Sequence, residues 1–373
     1  MRNLLTALLG AALVFVVVAC RPDTVPLPGA PTAAPQSVVG GRAETPTPAP
    51  TRTPMPTPTP TEVAIATPAQ GSFSVALVAP SDGDANRLKM AREGFQRAAQ
   101  EVGASAFDVV VAPGDLARNA VRLAEAGYNL VFIASNNPPL VNWVAKRYPQ
   151  TKFGTFGRVL EPTLPNVVGI WFAEDQAGFL AGALAGWLTK NEMVGFVGAA
   201  PTEEIVKFRK GYEHGLQYVD TKAIPLGKYI GSFDAPQKGA AEADAQIAEG
   251  PDFLFAAGGS TAQGALDEAA KRGLGVIAAD VDPYQSDPAL APNLVATVLV
   301  HVDNAVADVV RSVKQNTFKP GTLTYDAKNG AIELGPFHDW DGKVSDAAKK
   351  QLREIYQGLQ DGSVKTNVVI PVY

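Results

Sequence analysis

Five residues between an apolar run and a helix-forming stretch, Gly258-Gly259-Ser260-Thr261-Ala262, have types and spacing suited to chemistry. A serine on a sharp strand-to-helix turn is how many hydrolases expose a nucleophile. The order Ser260, then Asp280 or Asp282, then His301 or His338 permits a triad. The pattern breaks at Ala262, where such a turn carries its last glycine, and no HGGG-like oxyanion loop precedes it. The competing chemistry is binding. Gly258, Gly259 and Ser260 open a helix, where Ser260 or Thr261 would cap it and unpaired N–H groups would face a ligand. Asp280 ends the apolar run GVIAA and offers two acceptor oxygens to vicinal hydroxyls or an amine.

Other candidates follow the same logic. In the first loop after the first strand, Arg87 is placed to grip an anionic group bidentately, with Asp84 as a second polar group beside it. Asn136 and Asn137 close the third strand before Pro138-Pro139. Their amides suit a ligand edge, or else an Asx-type turn. Phe156, Trp171, Phe208 and Phe233 lie near strand ends; a planar ligand needs two of them, and the bland alternative for each is core packing. His214, His301 and His338 are scattered, none with a metal-ligand partner nearby, and Cys20 is the only cysteine. Neither GxxxxGK[ST] nor GxGxxG occurs, so no metal or other cofactor is expected. The net charge of −5 leaves no basic field for nucleic acid.

The elements that must position these groups alternate from Phe73 onward. FSVALVAP is a strand; Leu88, Ala91, Phe95, Ala98 and Val102 mark the helix after it. FDVVVAP, NLVFIAS, KFGTFG and NVVGIWF are further strands with helices between, and a second series starts at MVGFVGA. FLFAA, the helix bearing Leu266, Ala269 and Ala270, and GVIAA form one βαβ unit with polar groups at both strand ends. Open parallel sheets bind ligands at that edge. Gly178, Gly182 and Gly186 stripe one helix and predict close packing against a neighbouring backbone, since glycine otherwise weakens a helix. A turn at Asn329-Gly330 reads as hairpin-like. About 300 residues exceed one ordinary core, so two lobes are expected.

The amino terminus reads differently. Arg2, the apolar Leu4–Val18 run and Val17-Val18-Ala19-Cys20 form a signal peptide, 1–19, with a lipoprotein cleavage box, making Cys20 a lipidation site. Residues 20–72, rich in Thr-Pro repeats, read as a stiff tether without a core.

The segments FAEDQAGFLAGALAGWLTKNEMVGFVGA, FRKGYEHGLQYV, YIGSFDAPQKG and FLFAAGGSTAQGALDEAAKRGLGVIAADVD resemble the basic membrane protein family of lipoproteins. The resemblance runs in order from about Phe73 to Thr366. It implies an α/β fold of the two-lobed type 1 periplasmic-binding kind, each lobe a parallel sheet flanked by helices. The first lobe would span 73–188 plus about 298–318, the second 189–297 plus about 319–373. It also implies a membrane-anchored, extracytoplasmic, monomeric protein that binds a small polar solute, a nucleoside or related molecule, for the permease of an ABC importer, and catalyses nothing. A ligand sensor without a transporter is the alternative, and a serine hydrolase using Ser260 a more distant one. Aligned through Glu93-Gly94, the family's base-stacking Phe is Arg87 here, its neighbouring Asn is Leu88, and a family lysine is Val300. Where relatives have an Asp after the fourth strand, this chain reads TFGR. The glycine turn at Gly258-Gly259-Ser260 and the sugar-binding acid at Asp280 are retained.

Overall fold

A computed structural model describes residues 64–220 and 222–370. The signal peptide, Cys20 and most of the tether lie outside the described residues. Apolar runs bounded by glycine or polar turns become strands, and 3–4 spaced apolar stretches become helices, in near-strict alternation. The first series is β1 (Ser74–Pro80), α1 (Ala85–Glu101), β2 (Ser105–Val111), α2 (Leu116–Glu125), β3 (Leu130–Ile133), α3 (Pro138–Ala145), β4 (Lys152–Phe156), β5 (Val167–Phe172) and α4 (Glu174–Leu188). The second is β6 (Met193–Gly198), α5 (Glu203–Val219), the short β7 (Ile224–Pro225) and β8 (Lys228–Tyr229), α6 (Pro236–Ile247), β9 (Phe253–Ala257), α7 (Gly259–Lys271), β10 (Gly275–Asp280) and β11 (Leu294–Val300). The chain closes with α8 (Val302–Lys314), β12 (Gly321–Tyr325), β13 (Ile332–Leu334) and α9 (Asp346–Asp361).

Two sheets result, ordered β12-β5-β4-β3-β1-β2 and β13-β11-β10-β9-β6-β7, with β8 also on β6. Every pairing is parallel except β11 with β13. The inner strands β1, β3 and β9 are buried along their whole length, as helix-covered parallel sheets require.

Three sequence expectations change. The Asn329-Gly330 turn joins no hairpin, because β12 lies in the first sheet and β13 in the second. Residues 319–373 therefore do not all belong to the second lobe, and Leu294–Val300 lies wholly in the second sheet. The tether boundary also moves. Ile65 packs on the core around β1 and α2, and the Tyr128 hydroxyl donates to Ala66 O at 2.9 Å, so the body begins before Phe73.

The glycine stripe of α4 fits the close packing its spacing predicts. A Cβ at Gly178 would meet Phe208 O at 2.1 Å, and one at Gly182 would meet Tyr212 O at 2.1 Å. Gly211 and Gly215 of α5 return the contact, against Asp175 O and Phe179 O. Although α4 follows a first-sheet strand, it is thus seated on a second-series helix. In the other direction α8 leaves β11 and packs on α1, with Gly94 against the Asp303 backbone.

Candidate functional site

The stretch after β9 turns through Gly258 (φ 108°) and Gly259 (φ 55°), backbone that a side chain would strain. Neither Ser260 nor Thr261 caps α7, contrary to the sequence expectation, because the helix already starts at Gly259. Its free N–H is satisfied from elsewhere: Asp84 Oδ2 accepts from Gly259 N at 3.0 Å. Asp84 also caps α1, its Oδ1 accepting from Asn86 N and Arg87 N. One buried carboxylate therefore closes two helix N-termini, each favouring negative charge.

Asp280 ends β10 at φ 68°, a conformation uncommon outside glycine and concentrated at functional sites. Arg87, in the first turn of α1, reaches it with two bonds: Nη2 to Oδ1 at 3.1 Å and Nε to Oδ2 at 3.4 Å. Arg87 Nη1 donates to Glu174 Oε1 at 2.9 Å. The guanidinium carbon lies 5.7 Å from the centre of the Phe172 ring and 5.8 Å from that of Phe208. These are cation–π distances. Glu174, buried at the head of α4, also pairs with Lys207 Nζ at 2.5 Å, and Lys207 donates to Phe172 O at 2.7 Å. The glycine seam explains that pairing, since it fixes α4 against the start of α5. Trp171 Nε1 donates to Glu203 Oε1 at 2.8 Å, and Lys207 and Arg158 each lie 4.2 Å from the centre of the Trp171 ring.

Burial sets the titration here. It pushes Asp280 up to about 6; Arg87 offsets part of the rise, and Asp84 and Glu174 add to it. Burial pushes Glu204 up as well, with Arg87 opposing. Against the upward push of burial, Lys207 and Arg87 hold Glu174 below the usual carboxylate range. For Arg87, burial lowers the value and Asp280, Glu174 and Glu204 more than restore it, so the guanidinium stays charged.

A cavity of about 30 Å³ adjoins the guanidinium, walled by Asn136, Phe156, Trp171, Glu203, Glu204 and Lys207 among others. A second of the same size lies beside Gly258, Gly259 and Asp280. The sequence candidates Asp84, Arg87, Asn136, Phe156, Phe208, Gly258, Gly259 and Asp280 therefore converge on one region. Two do not join it. Asn137 caps α3, accepting from Leu140 N at 3.1 Å, as its Asx-turn alternative allowed. The Ser260 hydroxyl donates to Asp234 Oδ1 at 2.7 Å, and Ser260 walls neither cavity. Phe233 packs beside Gly258 and Gly259 through its ring and carbonyl, away from the guanidinium cavity.

Among the described residues no triad assembles around Ser260. His338 bonds Asp282 at 2.7 Å and stacks on Tyr284, while His301 faces Glu333. His214 is half-buried, its Nδ1 2.7 Å from Thr366 O. Sequence reasoning missed Glu174, Lys207, Phe172, Glu203 and Glu204. The signal available was the run Trp171-Phe172-Ala173-Glu174 at a strand end, which placed an acid at a helix start but did not name its partner.

Residues 74–368 match the family model described as ABC transporter substrate-binding protein PnrA-like. The chain is 28% identical over 260 residues to the ABC transporter nucleoside-binding protein BmpA of Lactococcus lactis subsp. cremoris, covering 65% of this chain and 74% of that protein. It is 31% identical over 222 residues to basic membrane protein A2 of Borrelia garinii subsp. bavariensis, covering 56% and 64%. A solute-binding protein of an ABC transporter system from Aeropyrum pernix K1 superposes with a TM-score of 0.70 at 21% identity, over 79% of this chain and 92% of that one. One from Conexibacter woesei DSM 14684 does so with 0.62 at 23%, over 79% and 98%. These neighbours share the two-lobed α/β fold of type 1 periplasmic-binding proteins, and the family's members bind solutes and are not enzymes. With the model spanning almost the whole described body, this chain belongs to the Bmp family of PnrA-like ABC transporter substrate-binding proteins.

Proposed function

We propose that this protein is the membrane-tethered binding lipoprotein of an ABC importer, taking a small polar solute, a nucleoside or related molecule, between its two sheets. The observation that carries the reading is the meeting of Arg87, Asp84, Gly259 and Asp280 at the carboxyl edges of both sheets, where open α/β folds hold ligands. The nucleoside-binding relative supports the solute class, and Asp280 would anchor the solute through its two oxygens. Arg87 in place of a stacking ring, Leu88 in place of an amide and Val300 in place of an ammonium argue for discrimination against plain purine nucleosides.

The anchor rests on Cys20 and its preceding box, and the Pro/Thr-rich stretch after it gives reach from an extracytoplasmic membrane face to a permease. Among the described residues no helix is long and apolar enough to cross a membrane. Mass spectrometry of small molecules released from the purified protein, then calorimetry with the released compound, tests the solute reading. A released solute binding again in one-to-one stoichiometry is expected. Release of nothing, with no heat from a broad solute panel, would defeat it. Loss of radiolabelled palmitate and of membrane retention in Cys20→Ala tests the anchor.

A further inference from the structure

The cleft holds a cation already, and that cation belongs to the chain. Arg87 has two bonds to Asp280, one to Glu174 and two aromatic rings at cation–π distance, Phe172 and Phe208. These are the contacts a guanidinium takes: carboxylate acceptors for each of its three nitrogens and aromatic rings nearby. The surroundings carry more acid than base. Asp84, Glu174 and Asp280 are buried, and Glu203 and Glu204 line the adjoining cavity, against Arg87 and Lys207 inside and Arg158 at the exposed rim. A space of about 30 Å³ holds a water and little more, so a solute enters only by moving Arg87 or parting the sheets.

Each kind of solute then leaves a different balance. An anion drawn to Arg87 must pull it from Asp280 and adds negative charge where carboxylates already crowd. A neutral solute wedged between Arg87 and Asp280 leaves that carboxylate buried without its cation. A cation of the same shape restores every bond that Arg87 gives up.

Resting on the reading of this cleft as a solute site, we infer that the solute presents a flat, delocalised cation of guanidinium or amidinium type. It exchanges with Arg87 for Asp280, Glu174 and the two rings. Arg87 is then an internal occupant: it holds the unliganded cleft together and sets the affinity an incoming group must exceed.

Calorimetry on the lipid-free mature chain tests this with agmatine and benzamidine as cationic probes, cytidine and inosine as neutral ones, and glutamate as an anion. At least one cationic probe is expected to bind, at least tenfold tighter than the neutral and anionic probes. Arg87→Ala should tighten that probe about tenfold by removing its competitor, and Asp280→Asn should weaken it by at least as much. Should Arg87→Ala not fold, Arg87→Met keeps an aliphatic stem in place and carries the same expectation. Cytidine, inosine or glutamate binding better than both cations would overturn the inference and leave the solute-binding reading standing. Cation binding indifferent to both substitutions overturns it too, by placing the cation elsewhere. Heat from no probe, together with no solute released on denaturation, removes the solute-binding reading itself.

Discussion

The two α/β series meet in two places built on opposite principles. Along α4 and α5, glycines bring backbone against backbone, with no room for a methyl. Across the cleft, the meeting is made by polar contacts, Arg87 to Asp280, Gly259 to Asp84, Trp171 to Glu203 and Lys207 to the Phe172 carbonyl, with small cavities alongside. Close backbone packing has no substitute partner in water, so the seam is a permanent joint. Charge-assisted hydrogen bonds do have substitutes, in a solute or in solvent, so the cleft contacts can exchange.

The largest effect should come from the seam. Gly182→Val sets a branched side chain against the Tyr212 carbonyl, and we expect a loss of about 3 kcal/mol or more, read as melting temperature or as insoluble protein. A mild loss would mean that the seam gives way and that the contrast with the cleft is overdrawn.

Next is the cleft cation. Arg87→Met leaves Asp280 buried without its partner, and the unliganded protein should lose about 2–4 kcal/mol at pH 7.5. That loss should shrink at pH 5. In the wild type the folded Asp280 titrates at about 6, above its ordinary 3.8, so folding favours the neutral acid. Its contribution is full below pH 3.8 and is lost as pH rises through 6, worth at most about 3 kcal/mol. Without Arg87 the window moves higher still, because Asp84 and Glu174 remain beside Asp280 and both raise it. Melting curves of both proteins between pH 5 and pH 8 check the sign. A gap that widens on acidification would refute it.

Asp84→Ala removes a cap shared by α1 and α7 and should cost about 1–2 kcal/mol. If the cleft contacts are exchangeable, this variant should also raise the radius of gyration of the unliganded protein in X-ray scattering, whereas Gly182→Ala should not. The smallest effect lies outside both regions. A chain beginning at Phe73 lacks Ile65 and the Tyr128–Ala66 hydrogen bond, and should melt lower by the equivalent of about 1 kcal/mol than one beginning at Glu62. Equal stability would restore the tether boundary that composition alone suggests.

Much of this protein was legible in one dimension because the information was local. Strand–helix alternation, the three-glycine stripe of α4, the glycine turn before α7 and an acid at the end of β10 each depend on residues a few positions apart, where side-chain periodicity and backbone freedom act directly. So did the family, through long blocks in order. Tertiary structure alone decided which sheet each late strand joins, because β12 and β13 carry similar short apolar patterns and only the open edge beside β5 or β11 tells them apart. It also decided the partners of the charges. Arg87 and Asp280 are 193 residues apart, and Lys207 meets Glu174 through a helix packing that no local pattern specifies. Local rules place a charge at an edge; burial and the fold decide what neutralises it.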